Sequence, residues 1–172
     1  TTARYLVKIL NDRGKQDFSE AQIEYDSTFE KVEIIYARVI KPDGTVVDVG
    51  TRHIRDVSKY LNFPLYSNAR ITIISFPEIT DNAVIEYKVK TVRNKMVNDK
   101  DFVFAYPIQT SEPIIKADFT IETPLGLPLH MNYINEKYNN FGANLKPKIE
   151  KTSRQIIYRW EFNDIPQIIP EI

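Results

Sequence analysis

One run of residues, 32–41, constrains the fold of this chain more than any other. Its side chains form two alternating sets, and the second set is charged only at its two ends. A strand with apolar residues on both faces is typical of the buried centre of a sheet. Pro42, Asp43 and Gly44 follow, and they favour a tight turn because proline restricts φ to about −65° and glycine tolerates positive φ. The sequence therefore predicts a central strand that returns antiparallel over residues 45–49.

The remainder of the chain shows the same kind of pattern. Short runs rich in isoleucine, valine, tyrosine and phenylalanine recur along it, with turn-forming residues between them. Residues 84–92 alternate most cleanly, with one face apolar and the other largely polar. We predict an all-β fold, a two-sheet antiparallel β-sandwich of about ten strands.

Three local expectations accompany this fold. Residues 4–10 and 17–25 are predicted to pair as a hairpin around a turn at 11–14. Residues 53–60 are the one segment with a helical pattern. Residues 102–109 are predicted to form a strand, and the proline within them favours an edge or a bulge.

Length and composition limit the classes of function. A chain of 172 residues with 42% apolar side chains can bury one core, so we predict a single domain over 1–165 and an exit arm over 166–172. The 23 basic and 23 acidic side chains cancel, which makes nucleic acid and anionic membranes poor partners. No apolar run approaches about 20 residues, so no transmembrane segment is predicted. The sequence begins at Thr1 without methionine, which suggests an excised piece or a mature product.

A search for catalytic or metal-binding residues yields only weak candidates. The chain has no cysteine, so it has no thiolate nucleophile, disulfide or cysteine-ligated zinc. His53 and His130 lie far apart in the sequence, and two ordinary histidines are favoured over a metal site. Glu86 could belong to a pair of dispersed carboxylates, but a solvated strand residue flanked by Lys88 and Lys90 is the favoured interpretation. We predict no catalytic residue, no metal and no cofactor.

Two further groups of residues are candidates for binding or for anchoring. Tyr133, Tyr138 and Phe141 lie in a segment rich in amides, a composition that suits a sugar- or peptide-binding loop and also a loop pinned to the core. Arg55 and Asp56 stand side by side, and an anchoring ion pair is favoured over a surface that faces a partner.

Several short motifs in the sequence resemble those of one bacterial family. The pieces are ARVIKPDGTVV at 37–47, IRDVS at 54–58, SFPEI at 75–79 and VIEY at 84–87. A weaker similarity continues to YRWEF at 158–162, so the resemblance covers most of the chain. The family has no assigned function and stands immediately before transglutaminase-like domains, which have a papain-like fold, in exported proteins.

The resemblance implies an all-β accessory module whose partner is a downstream transglutaminase-like domain of the same chain. Residues 166–172 are then expected to be a linker toward that domain. It also implies export to the periplasm or the cell envelope. Our first hypothesis is a non-catalytic domain that positions the catalytic domain or helps to bind its substrate. An independent carbohydrate- or peptide-binding module that uses the loop around Tyr138 is the alternative. A hydrolase that uses Glu86 is the third and least favoured hypothesis.

Overall fold

A computed structural model describes residues 1–60, 67–95 and 102–169, and antiparallel strands dominate them. The strands form three sheets, which confirms the predicted all-β class. The chain divides into two compact units, Thr1–Asp101 and Phe102–Ile172. The single domain over 1–165 stays a prediction. No helix among the described residues is long and apolar enough to cross a membrane.

The first unit contains two of the three sheets. The larger sheet has the strand order β1 (Thr2–Lys8), β7 (Val84–Arg93), β3 (Glu30–Ile40) and β4 (Val46–Asp48). The smaller sheet has the order β2 (Glu20–Asp26), β6 (Ala69–Ser75) and β5 (Ile54–Ser58). Strand β3 lies between β7 and β4, so the prediction of a central strand at 32–41 is confirmed.

Both sheets contribute to the core of the first unit. Val39 on β3, Ile85 on β7 and Ile74 on β6 are no more than 1% exposed and belong to one apolar cluster. Ile9, directly after β1, is fully buried in the same cluster. Because two antiparallel sheets share this core, the first unit is a β-sandwich.

The predicted turn joins β3 to β4. Gly44 N–H donates to the Lys41 carbonyl at 2.9 Å, and Lys41 N–H donates to the Thr45 carbonyl at 2.8 Å. The Asp43 carboxylate accepts a hydrogen bond from Thr45 N–H at 2.9 Å. Gly44 has φ +87°, a conformation that side chains with a Cβ adopt at a cost. Local chemistry therefore explains why the chain reverses at Pro42–Gly44.

Two local predictions in the first unit were wrong. Strands β1 and β2 do not pair: β1 pairs with β7 and β2 with β6, and the short helix α1 (Asp12–Asp17) stands between them. Asn11 begins that helix, and its side chain accepts a hydrogen bond from Gly14 N–H at 2.9 Å. Residues 53–60, predicted as helical, instead begin at the end of a 3-10 turn (Thr51–His53) and form strand β5, because the edge of β6 is available to pair with it.

The second unit contains one three-stranded sheet with the order β8 (Ile114–Pro124), β10 (Gln155–Ile165) and β9 (Lys148–Lys151). Tyr158, Trp160 and Phe162 alternate along β10 and are at most 8% exposed. Connecting segments cover this face, since Leu129 N–H donates to the Tyr158 hydroxyl and Trp160 Nε1 donates to the Leu145 carbonyl. Loops thus replace a second sheet as the cover of this core.

The ends of the second unit differ from expectation in one respect. Residues 102–109 do not form the predicted strand. After β10, residues 166–169 continue without regular structure, and Ile168 N–H donates to the Thr110 carbonyl at 2.7 Å. The Gln109 side chain donates to the Pro166 carbonyl at 2.8 Å. Residues 170–172 of the predicted exit arm lie outside the described residues, and the role of the arm stays a prediction.

We expect Gly44→Val to lower the free energy of unfolding by about 1–2 kcal/mol, because valine must adopt positive φ at this position. The added side chain meets no atom within 4 Å, so the loss would come from backbone strain alone. Urea denaturation measures the change.

Gly50→Val is the matched control. Gly50 also has open space around its Cβ position, but its φ is −71° and its ψ is 161°, an extended conformation that valine favours. Its stability should stay within about 0.5 kcal/mol of the wild type. Equal stability of the two variants would contradict strain at Gly44.

Candidate functional site

Glu86 is the buried charge of the first unit. It lies on β7 between Ile85 and Tyr87, and its side chain points to the face of the larger sheet opposite the core. Leu6 on β1 and Arg38 on β3 stand directly across from it. The side chain is nevertheless only 1% exposed. The favoured interpretation of Glu86 as a solvated residue was therefore wrong.

Side chains from both neighbouring strands bury Glu86. Arg4 Nε and the Tyr36 hydroxyl donate to its Oε1 at 2.7 Å and 2.9 Å, and Arg38 Nε donates to its Oε2 at 2.7 Å. The Arg38 guanidinium also lies over the Tyr36 ring, 5.1 Å from its centroid. We call these four residues, Arg4, Tyr36, Arg38 and Glu86, the Glu86 cluster.

The electrostatics of the cluster keep Glu86 ionised. Desolvation by burial raises the pKa of Glu86, but the hydrogen bonds from Arg38, Tyr36 and Arg4 outweigh it, and the net pKa is lowered. The same contact raises the pKa of Arg4, chiefly through its hydrogen bond to Glu86. An ionised carboxylate with both oxygens engaged has no proton to donate and little freedom to accept one. The geometry suits fixing two guanidinium groups at a surface better than acid–base catalysis.

Arg55 and Asp56 occupy opposite faces of β5, so they do not pair with each other. Arg55 Nη2 donates to Glu20 Oε1 at 2.7 Å. Asp56 accepts from the Tyr25 hydroxyl at 2.6 Å and from Arg70 Nε at 2.8 Å. Each residue thus anchors β5 to a different set of neighbours in the smaller sheet.

Tyr133, Tyr138 and Phe141 have three different environments in the second unit. Phe141 is half-buried against the core, and the Tyr133 hydroxyl contacts Met131 Sδ at 3.8 Å. Tyr138 is 64% exposed, with Lys137 Nζ 4.8 Å from its ring centroid. Tyr138 has the most exposed ring of the three, and a binding role for this loop stays a prediction.

The two histidines belong to different units. His53 Nε2 accepts a hydrogen bond from Arg52 Nε at 3.0 Å, and His130 is exposed. Across residues 1–60, 67–95 and 102–169, no group of three or more His, Cys, Asp or Glu residues could hold a metal ion.

The second unit exposes a row of aromatic rings. Phe102, Phe104 and Tyr106 are 55%, 45% and 42% exposed. The ring centroids of Phe102 and Phe104 are 6.4 Å apart, and Phe104 and Tyr106 stack on Phe119 of β8 at 5.4 Å and 4.9 Å. We call Phe102, Phe104 and Tyr106 the aromatic strip. In the sequence, aromatic residues at every second position indicate this strip, and the same pattern fits the strand predicted over residues 102–109.

Exposed apolar side chains are concentrated in this unit more widely. Of the twenty large apolar side chains that are exposed among the described residues, thirteen belong to the second unit and seven to the first. Single exposed apolar residues are ordinary, whereas a contiguous patch of them marks an interaction surface. Among these thirteen side chains, ring stacking directly joins Phe102 and Phe104, and Phe104 and Tyr106 both stack on Phe119.

We expect Glu86→Gln to lower the free energy of unfolding by about 1–3 kcal/mol at neutral pH, because glutamine has one acceptor oxygen where the carboxylate has two and leaves Arg4 and Arg38 without a counter-charge. The folded-state pKa of Glu86 lies below its ordinary value, so ionised Glu86 stabilises the folded chain fully above about pH 5. That contribution is lost as the pH falls through the lowered pKa. Urea denaturation between neutral and acidic pH should show a smaller loss of stability in the variant than in the wild type.

Glu161→Gln is the control for this pH dependence. The pKa of Glu161 is also lowered, chiefly by its hydrogen bond to Lys148, but both partners are exposed to solvent. Exposed ion pairs contribute little, so the pH profile of this variant should follow the wild type. Identical profiles for Glu86→Gln and the wild type would show that the buried carboxylate does not stabilise the fold.

Comparison with known proteins identifies the family of this sequence and a structure of similar fold. The sequence matches a domain of unknown function, DUF3857, over residues 1–169. The search of curated proteins found no relative that matches the chain. A crystal structure from Parabacteroides distasonis ATCC 8503, provisionally named a protease, has the same fold, with a TM-score of 0.82 and 17% sequence identity. The alignment covers 99% of this chain and 33% of that one, so this chain spans about a third of the length of the protein it matches. With the family matched over nearly its whole length, the chain belongs to the DUF3857 family.

Proposed function

We propose that this chain is a non-catalytic accessory domain of a larger transglutaminase-like protein, in which it positions the catalytic domain or contributes to binding of a substrate or partner. Two observations support the proposal. The fold recurs as a third of a longer protein that is provisionally named a protease. The chain contains no cysteine, so a transglutaminase-like nucleophile would come from another part of such a protein.

The aromatic strip carries this proposal. Phe102 and Phe104 are about half exposed. An aromatic side chain buries a large apolar area when it packs against a partner, so each of these rings has apolar surface left for a contact. Aromatic side chains are enriched at the energetically important centres of interfaces. The strip therefore suits contact with a neighbouring folded domain, and the catalytic domain is the occupant that we propose.

The family resemblance also leads us to propose where such a protein acts. Proteins with this arrangement are exported, so we propose the periplasm or the cell envelope as its location. Fractionation of cells that express the intact protein tests this location, and recovery in the cytoplasmic fraction alone would exclude it.

The first test of the accessory role is the encoded sequence beyond Ile172. A downstream domain with Cys, His and Asp in a papain-like arrangement is expected. A reading frame that stops just after Ile172 would overturn the proposal.

The second test concerns the strip itself. Titration of residues 1–172 with the separately produced catalytic domain, followed by calorimetry, is expected to show binding that Phe104→Ser weakens by about tenfold or more, because a buried aromatic anchor is lost. Thermal unfolding of the variant controls for loss of the stacking on Phe119.

Val103→Ser is the matched control. Val103 adjoins Phe104 in the sequence and is 85% exposed, but it is not part of the aromatic stack. It should change the affinity little. An equal effect of the two substitutions, or no binding of the wild type, would count against the strip as the contact surface.

A further inference from the structure

The outer face of the larger sheet is basic, although the chain as a whole is neutral. We define this outer face as the side of β1, β7, β3 and β4 that carries Glu86. The strand register places six basic and three acidic side chains on it, an excess of three positive charges: Arg4, Lys8, Lys31, Arg38, Lys88 and Lys90 against Glu33, Asp48 and Glu86. A local excess of this kind attracts an anionic partner even when the net charge is zero.

The Glu86 cluster lies within this face and holds two guanidinium groups in place. The side chains of Arg4 and Arg38 are 55% and 38% exposed, while the carboxylate between them is 1% exposed. One carboxylate shared by two guanidinium groups leaves one positive charge uncompensated within the cluster. Solvent and ligands can therefore reach cationic groups whose position is already set.

Arg38 has hydrogen-bond donors that could bind a ligand. It contacts Glu86 through Nε, and its two terminal nitrogens have no hydrogen-bond partner among the residues that the structure describes. Its contact with the Tyr36 ring limits the motion of the guanidinium plane. A fixed guanidinium binds a second carboxylate with a smaller loss of conformational entropy than a free side chain does.

We propose that the outer face of the larger sheet, centred on the Glu86 cluster, binds an acidic peptide segment of a protein partner through its carboxylates. Arg4 and Arg38 provide the central contacts, and Lys88 and Lys90 extend the basic surface along β7. This site belongs to the first unit and uses none of the aromatic strip, so it does not depend on the proposed accessory role.

The acidic residues on the same face favour a peptide over other anionic partners. Glu33 stands across from Lys90, and Asp48 stands across from Arg38. A continuous polyanion, such as a nucleic-acid backbone or an anionic bilayer, would meet these two carboxylates and be repelled by them. A peptide with spaced carboxylates can place its charges beside the basic residues and its neutral residues beside the acidic ones.

The test uses the 172-residue chain and a rhodamine-labelled peptide of alternating serine and glutamate, with binding followed by fluorescence anisotropy. Binding is expected at low ionic strength and should weaken toward ~0.15 M salt. Arg38→Gln should weaken it about tenfold, because a charge-assisted hydrogen bond is lost. The double variant Lys88→Gln/Lys90→Gln should weaken it about threefold.

Lys151→Gln is the control for a simple effect of net charge, since Lys151 is exposed on β9 in the second unit. It should leave the affinity unchanged. Thermal unfolding verifies each fold, and if Arg38→Gln is unfolded, the lysine double variant provides the decision. The proposal is overturned if the wild type does not bind the peptide, if Lys151→Gln weakens binding as much as the double variant does, or if phosphatidylglycerol vesicles bind more tightly than the peptide.

Discussion

The first unit depends on strand β7, which is paired along both edges and is buried on both of its faces at Ile85 and Glu86. Its backbone bonds to β1 and β3, and its neighbouring residues Ile85 and Glu86 are each 1% exposed although they point in opposite directions. Burial of Ile85 is favourable by itself, whereas burial of Glu86 is tolerated only because compensating donors surround it. Arg4 and Arg38 come from the two strands that flank β7, so the same side-chain contacts that satisfy the charge also join three strands of one sheet.

Elements that depend on neighbouring residues along the chain were predictable from the sequence. The central strand at 32–41 and the turn at Pro42–Gly44 follow from alternation and from the conformational freedom of glycine. Pairing between strands that are distant in the sequence was not predictable. The expected hairpin of β1 with β2 was wrong because β1 pairs with β7 and β2 pairs with β6. Helix α1 has six residues, too few to show a helical period. Strand β5 carries polar residues on both faces, and Arg55 and Asp56 form ion pairs with Glu20 and Arg70 while they remain partly exposed. This polar sequence lacks the apolar alternation by which a strand is predicted.

The candidate site was less predictable than the fold for the same reason. Glu86 lies in a local pattern of charged residues, and its burial comes from Arg4 and Arg38, which are 82 and 48 positions away in the sequence. In the second unit, the alternating aromatics at 102, 104 and 106 were visible, but alternation does not say whether a neighbouring strand accepts the backbone hydrogen bonds. In the structure Phe104 and Tyr106 stack on Phe119, and Phe102 stacks on Phe104. All three rings are partly exposed, so the segment expected to be a strand forms part of the surface instead.

The buried carboxylate also decides which alignment of the larger sheet can form. In a strand, neighbouring side chains point to opposite faces, so a slip of one position would turn Glu86 inward among Ile9, Val39 and Ile74. A charge in that apolar layer would have lost its guanidinium partners, and such a state is strongly disfavoured. A strand with apolar residues on both faces specifies its register less strongly, because burial of either face is similarly favourable in free energy. The buried, hydrogen-bonded Glu86 therefore favours the observed register of β7 over one shifted by a single residue.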